Sequence, residues 1–151
     1  MGKKGCLITY APMDSMNGKW WFSGAPADFL IKNISQIKGT SRRVVFIDDG
    51  YPSPDSYAVF YYKGNQWIDP PMARHGNGTD VSYADGHAGR MMWKSPETVR
   101  IANMEPPVYF WQIPTNNCAA STDLYRMQIA CWGKIGYTPT GLPAGCVLSA
   151  D

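Results

Sequence analysis

His75 and Asp85 most invite a chemical reading, an imidazole and a carboxylate separated by the nine residues 76–84. Such a pair can act as general base and orienting acid if the side chains come within hydrogen-bond reach. The intervening residues argue against that. If 80–84 is extended it spans about 17 Å, and His75 lies beyond a Gly76-Asn77-Gly78 turn at its far end. The two groups are therefore expected at opposite ends of a hairpin, with His75, Asp85 and Gly86 in structural roles and no catalytic residue. His87, directly after the turn, reads as an exposed histidine. A calcium site would need Asp48, Asp49, Asp55 and Asp85 to converge with backbone carbonyls. No calcium-loop motif is present, so neither a metal nor another cofactor is expected. The chain has no glycine-rich phosphate loop, nucleophile elbow or helical His-Glu-x-x-His. Asn33-Ile34-Ser35 and Asn77-Gly78-Thr79 match the glycosylation pattern and are read as chance.

The four cysteines, Cys6, Cys118, Cys131 and Cys146, have no Cys-x-x-Cys spacing, which speaks against structural zinc. Two disulfides in an oxidising compartment are expected, with all three connectivities open. Cys118 with Cys131 would clip the segment 121–130, and Cys6 with Cys146 would tie the two ends together.

Positioning these residues falls to short elements. The 151 residues suit one domain, 1–151, and 44% hydrophobic against 17% charged composition indicates a folded chain. Fifteen glycines and twelve prolines, scattered throughout, make it turn-rich. The formal charge of +2, with Lys3/Lys4 and Arg42/Arg43 isolated, supplies no continuous basic face, so no nucleic-acid partner is expected. No apolar run approaches the roughly 20 residues that span a bilayer. Nor does an apolar stretch follow the opening Met1-Gly2-Lys3-Lys4-Gly5, so no secretion signal is read there.

Apolar spacing predicts a short helix over 28–37, with Asp28 as its cap. The β-branched run 43–47, ended by Asp48-Asp49-Gly50, predicts a central strand buried on both faces, and 57–62 predicts a second strand. Asp85-Gly86 between 80–84 and 87–93 predicts a hairpin with a type I′ turn. That turn would put Val81, Tyr83, Ala88 and Met92 on one face, and Asp80, Ser82 and His87 on the other. After Pro96 the chain reads as irregular until Ser121 or Thr122 caps a helix over 123–130, and beyond Trp132 it reads as loop. The expected class is α+β, a mainly antiparallel sheet with one or two short helices.

The stretch Ala73-Arg74-His75-Gly76-Asn77-Gly78-Thr79, continuing to Tyr83-Ala84-Asp85-Gly86-His87, resembles the histidine-x9-Asp-Gly signature of bacterial prepilin-type, pseudopilin-like proteins. Tyr83 stands where that family often has Phe. Ser15-Met16-Asn17-Gly18 is similar to its Ser-Tyr-x-Met-Asn-Gly element, and Ile34-Ser35-Gln36-Ile37 before 44–48 to its isoleucine and strand block. The segment 67–74 is similar to its Trp-x-Asp-x-Pro lead-in, and Asp123-Leu124-x-x-Met127-Gln128 to its Asp-Leu-x-x-Leu-Gln close. The resemblance covers about residues 8–130. It implies the soluble head of a pilin-like subunit whose N-terminal hydrophobic helix, matured by a prepilin peptidase, is absent from this chain. Partners would be other pilin-like subunits, met through that helix and the head surface. The location would be extracytoplasmic, with the membrane reached only through the missing helix. Related secretion pseudopilins bind calcium in loops, but their loop motif is not present here.

Six tryptophans and nine tyrosines exceed what a small core demands. Trp20-Trp21 and Tyr109-Phe110-Trp111 are the candidates for exposed aromatic surface. The function expected is a non-catalytic structural subunit of a pilus-like or type II secretion-like assembly. The alternative is a carbohydrate-binding module that stacks exposed tryptophans on sugar rings.

Overall fold

Short β-branched and aromatic segments separated by turn residues build an antiparallel sheet. The computed structural model describes residues 10–16, 24–49 and 56–151. Strands β1 (Tyr10–Pro12), β2 (Val44–Asp48), β3 (Gly78–Tyr83) and β4 (Ala88–Met92) lie side by side in chain order, each antiparallel to its neighbour. With helices α1 (Pro96–Ala102) and α2 (Cys118–Trp132) this is an α+β fold. The inner sheet face and α2 share one core, in which Ala11, Val44, Ile47, Val81 and Met91 meet Leu124, Met127 and Cys131. Burying a side chain such as Leu124 contributes roughly 2 kcal/mol.

β2 is an inner strand, but it is not buried on both faces as expected: Val44 and Ile47 are buried while Phe46 is 48% exposed. Val44 pairs with Tyr83 and Phe46 with Ser82, so Val45 is an extra, bulged residue. The bulge lets two residues three apart in sequence both point inward.

The hairpin forms as expected, with a different turn. Gly86 has φ 94°, whereas Ala84 and Asp85 keep negative φ, which excludes type I′. The Gly86 N–H donates to Tyr83 O, and the Tyr83 N–H to His87 O. This closes a three-residue loop with glycine at the left-handed bulge position. The longer loop shifts the return strand by one residue, which moves every β4 side chain to the other face. Thr79, Val81 and Met91 point inward, and Ala88 and Met92 join Asp80 and Ser82 outside.

The segment 57–62 is not a ladder strand. Tyr57, Ala58, Val59 and Phe60 are all buried, and only isolated bridges join Met13 to Tyr57 and Val59 to Trp67. Side chains of α2 take the place of a strand neighbour: Gln128 Nε2 donates to Phe60 O and Lys63 O at 2.6 Å each, and Trp132 Nε1 donates to Val59 O at 3.1 Å. Buried carbonyls need partners but not necessarily backbone ones.

In place of a helix over 28–37 there are two 3₁₀ turns, Ala27–Phe29 and Ile34–Gln36, and Asp28 caps neither. Asn33 and Gln36 form a capping box that starts the second turn inside the expected helix. α1 occupies a stretch that reads as irregular. Ser95 Oγ accepts from the Glu97 N–H, and Pro96 sits at the first helical position. α2 begins earlier than expected, capped by Asn117, whose Oδ1 accepts from the Ala120 N–H. Thr122 lies inside the helix and donates to Cys118 O. The helix stops at Gly133, where φ is 78°.

Cys118 is bonded to Cys146 with a Cα separation of 5.7 Å. This corrects both pairings considered above. Cys118 and Cys131 stand near opposite ends of one helix, which at ~1.5 Å rise per residue places them far beyond disulfide reach. Cys6 lies outside the described residues. Cys131 is a free, fully buried thiol whose pKa is pushed up to about 12 by burial, with Asp14 adding to the rise and hydrogen bonds from Ser15 opposing it. Since the thiolate is the reactive form, the Cys131 peptide should stay unlabelled by iodoacetamide in native protein at pH 8. It should become fully labelled in denaturant, as read by mass spectrometry. Native labelling as fast as that of a free thiol would contradict the burial.

Candidate functional site

Side-chain alternation leaves one whole face of the sheet turned away from α2. On it Tyr10, Phe46 and Met92 are 53%, 48% and 46% exposed. A concavity of about 550 Å³ runs across this face, lined by Tyr10, Phe46, Asp80, Ser82, Ala88 and Arg90. Exposed apolar surface of this kind marks a contact site more often than chance.

The edge of that face is charged, and His75 belongs to it. His75 Nε2 lies 3.3 Å from Asp48 Oδ2 and 3.4 Å from Asp80 Oδ2. Arg74 Nη1 approaches Asp48 Oδ1 at 3.5 Å, and Arg90 Nε donates to Asp80 Oδ1 at 2.9 Å. Ionisable side chains therefore run Arg74, Asp48, His75, Asp80, Arg90 along the end of the sheet. Burial pushes the Asp48 carboxyl up, while Arg74 and His75 pull it back toward its ionised form. An imidazole between two carboxylates ties β2 to β3 across the sheet end. Among the described residues no serine, threonine or cysteine side chain hydrogen-bonds to it.

Asp85 has a separate partner at the hairpin tip. Slight desolvation raises its pKa, but hydrogen bonds from the His87 ring and backbone outweigh this and hold it below the usual carboxylate range. His87 Nδ1 lies 2.6 Å from Asp85 Oδ1, and the ring stacks on Tyr83 at 4.2 Å between centroids. His87 is thus exposed but paired. The structure does not bring His75 and Asp85 together; it places them in two clusters at the two ends of β3. Asp48 and Asp85, two of the four acids weighed for calcium, are divided between these clusters, and Asp55 lies outside the described residues. Among the described residues no group of His, Cys, Asp and Glu has the arrangement to hold a metal ion.

The acids beside His75 were missed in the sequence. Asp80 opposite Arg90 follows from the hairpin once its three-residue loop is known, whereas Asp48 arrives from a distant strand with no local signal.

The other segments of the resemblance form framework. Asp123, Leu124, Met127 and Gln128 are all fully buried. Asp123 accepts from the Lys94 and Ser95 N–H groups at 2.8 and 2.9 Å, and Asp69 Oδ2 accepts from the Ala58 N–H at 2.6 Å. Of the tryptophans among the described residues none is exposed: Trp67, Trp93 and Trp132 are buried and Trp111 is half-buried. Tyr109 and Phe110 are exposed, and Trp20 and Trp21 lie outside the described residues. No helix among the described residues is long and apolar enough to cross a membrane. Compared with models of protein families, with curated proteins and with solved structures, the chain matches none.

Proposed function

We propose that the chain is the head of a structural subunit in a pilus-like or type II secretion-like assembly outside the cytoplasmic membrane, a non-catalytic role. The observation that carries this reading is the sheet face left open by the described residues, where Tyr10, Phe46 and Met92 sit exposed beside a charged rim. A filament subunit needs lateral contact surface on a stiff framework, and an apolar patch with a polar border is the usual composition of such surfaces. The Cys118–Cys146 bond supports an oxidising compartment, and the His75 to Asp85-Gly86 segment supplies the hairpin that holds the face in shape. Partners are other pilin-like subunits, and the full-length form is membrane-anchored through an N-terminal helix.

The test is fractionation of the producing cells. The protein should pellet with material sheared from the cell surface, and Phe46→Asp should cut that recovery at least tenfold while purified variant and wild type melt together. A coding sequence upstream of residue 1 that holds a catalytic domain, with no prepilin peptidase site and no apolar segment of about 20 residues, would sink the reading.

A further inference from the structure

A second cavity, of about 180 Å³, opens between the hairpin tip, the 3₁₀ turn Thr40–Arg42 and α2. Its lining includes Ser41, Arg42, Tyr83, His87 and Arg126, with Asp151 beside them. Hydrogen-bond donors dominate it. Arg42 makes no ion pair among the described residues, and neither the Ser41 nor the Tyr83 hydroxyl has a hydrogen-bond partner there. The Arg126 side chain is 14% exposed; its Nη1 donates to Met92 O at 2.7 Å and lies 3.7 Å from Asp123 Oδ1. Its Nε is buried with no partner. Asp123 is already taken up by two backbone N–H groups. His87 gives its Nδ1 proton to Asp85, so the Nε2 of the neutral ring is an acceptor and adds no donor to the cavity. Arg90 also lines the cavity, but its Nε is bonded to Asp80. The one acid is Asp151, an exposed residue whose main-chain carbonyl accepts from Lys94 Nζ at 2.7 Å.

Two guanidinium groups and two hydroxyls, brought from three separate elements, surround a space instead of forming a single fork. A planar carboxylate suits one fork, whereas a tetrahedral oxyanion accepts hydrogen bonds from several directions at once. At ~30 Å³ per water the cavity has room for a group of four oxygens. We propose that this cavity binds a phosphate group, either free phosphate or the phosphoryl end of a phosphate monoester, and that Arg42 and Arg126 carry its charge. The site shares Arg90 with the concavity on the sheet face, but its argument does not depend on the assembly reading.

Calorimetric titration of the purified chain at low ionic strength tests this, with inorganic phosphate and glycerol phosphate as probes and sodium chloride at matched ionic strength as the control. Saturable binding is expected for at least one phosphate and none for chloride. Arg42→Gln, at an exposed position, should weaken binding at least tenfold without moving the melting temperature, and Tyr83→Phe about threefold. Tighter binding of either probe supports the site and identifies the source it reads, and equal binding of both supports a site that reads the phosphoryl group alone. Phosphate binding no stronger than chloride, or an Arg42→Gln protein that binds like wild type, overturns it.

Discussion

Gln128→Leu is expected to lower the unfolding free energy by about 3 kcal/mol and the melting temperature by roughly 6–12 °C. The side chain is fully buried and makes three hydrogen bonds: Nε2 donates to Phe60 O and Lys63 O, and Oε1 accepts from the Tyr137 hydroxyl at 2.8 Å. Leucine keeps the volume but leaves the Phe60 and Lys63 carbonyls and the Tyr137 hydroxyl without this partner. Each buried polar group left alone costs about 1–3 kcal/mol. Tyr137 reports the same surroundings, since burial and nearby Tyr125 push its pKa up to about 12 against the pull of Gln128. Gln128→Glu should be worse, because it sets a carboxylate oxygen against two carbonyls in place of the amide donor. Thermal melts followed by circular dichroism would check both. A Gln128→Leu protein within 1 kcal/mol of wild type would mean that 60–63 is not held by α2.

Removing the Cys118–Cys146 bond with Cys118→Ser and Cys146→Ser should cost about 3.5 kcal/mol, the loop-closure entropy for a separation of 28 residues. The bond joins the first residue of α2 to the irregular tail beyond Trp132, so its loss frees that tail more than the sheet. Urea midpoints should fall by roughly 1–3 M. Reductant should produce the same shift in wild type and none in the double variant. Equal midpoints for the oxidised wild type and the variant would show that the cross-link leaves the unfolded chain unconstrained.

The sheet and the hairpin were legible because both are local signals: a β-branched run ended by acids and an Asp-Gly pair between strand-like segments. Register was not legible. Whether the turn takes two or three residues depends on the backbone angle at Asp85, which the residue type leaves open, and that choice decides whether Met91 or Met92 enters the core. The strand expected over 57–62 failed for a different reason, since its apolar pattern reports burial but not the partners of its carbonyls. α1 was present in the signals of Ser95, Pro96 and Glu97, yet its seven residues are too few for periodicity to show. The surroundings of His75 are partly non-local, since Asp80 stands five residues on but Asp48 arrives from a distant strand. Its acids come from β2 and β3, whereas spacing alone pointed to Asp85, an acid that it does not meet. Disulfide pairing was not legible either, since even the knowledge that α2 runs from Cys118 through Cys131 excludes only one of the three connectivities.

The tethering of 57–62 by Gln128 and Trp132 has a consequence for how the chain behaves before it is fully folded. Tyr57-Ala58-Val59-Phe60-Tyr61-Tyr62 carries no charge and no proline, the composition of a segment that stacks with copies of itself into amyloid-like sheets. In the native protein α2 side chains occupy the Val59 and Phe60 carbonyls, and the N–H groups of Asp14, Asp69 and Gly136 occupy those of Tyr57, Ala58 and Tyr61. Late docking of that helix would therefore leave these two carbonyls open to self-association, so α2 would guard solubility as well as pack the core.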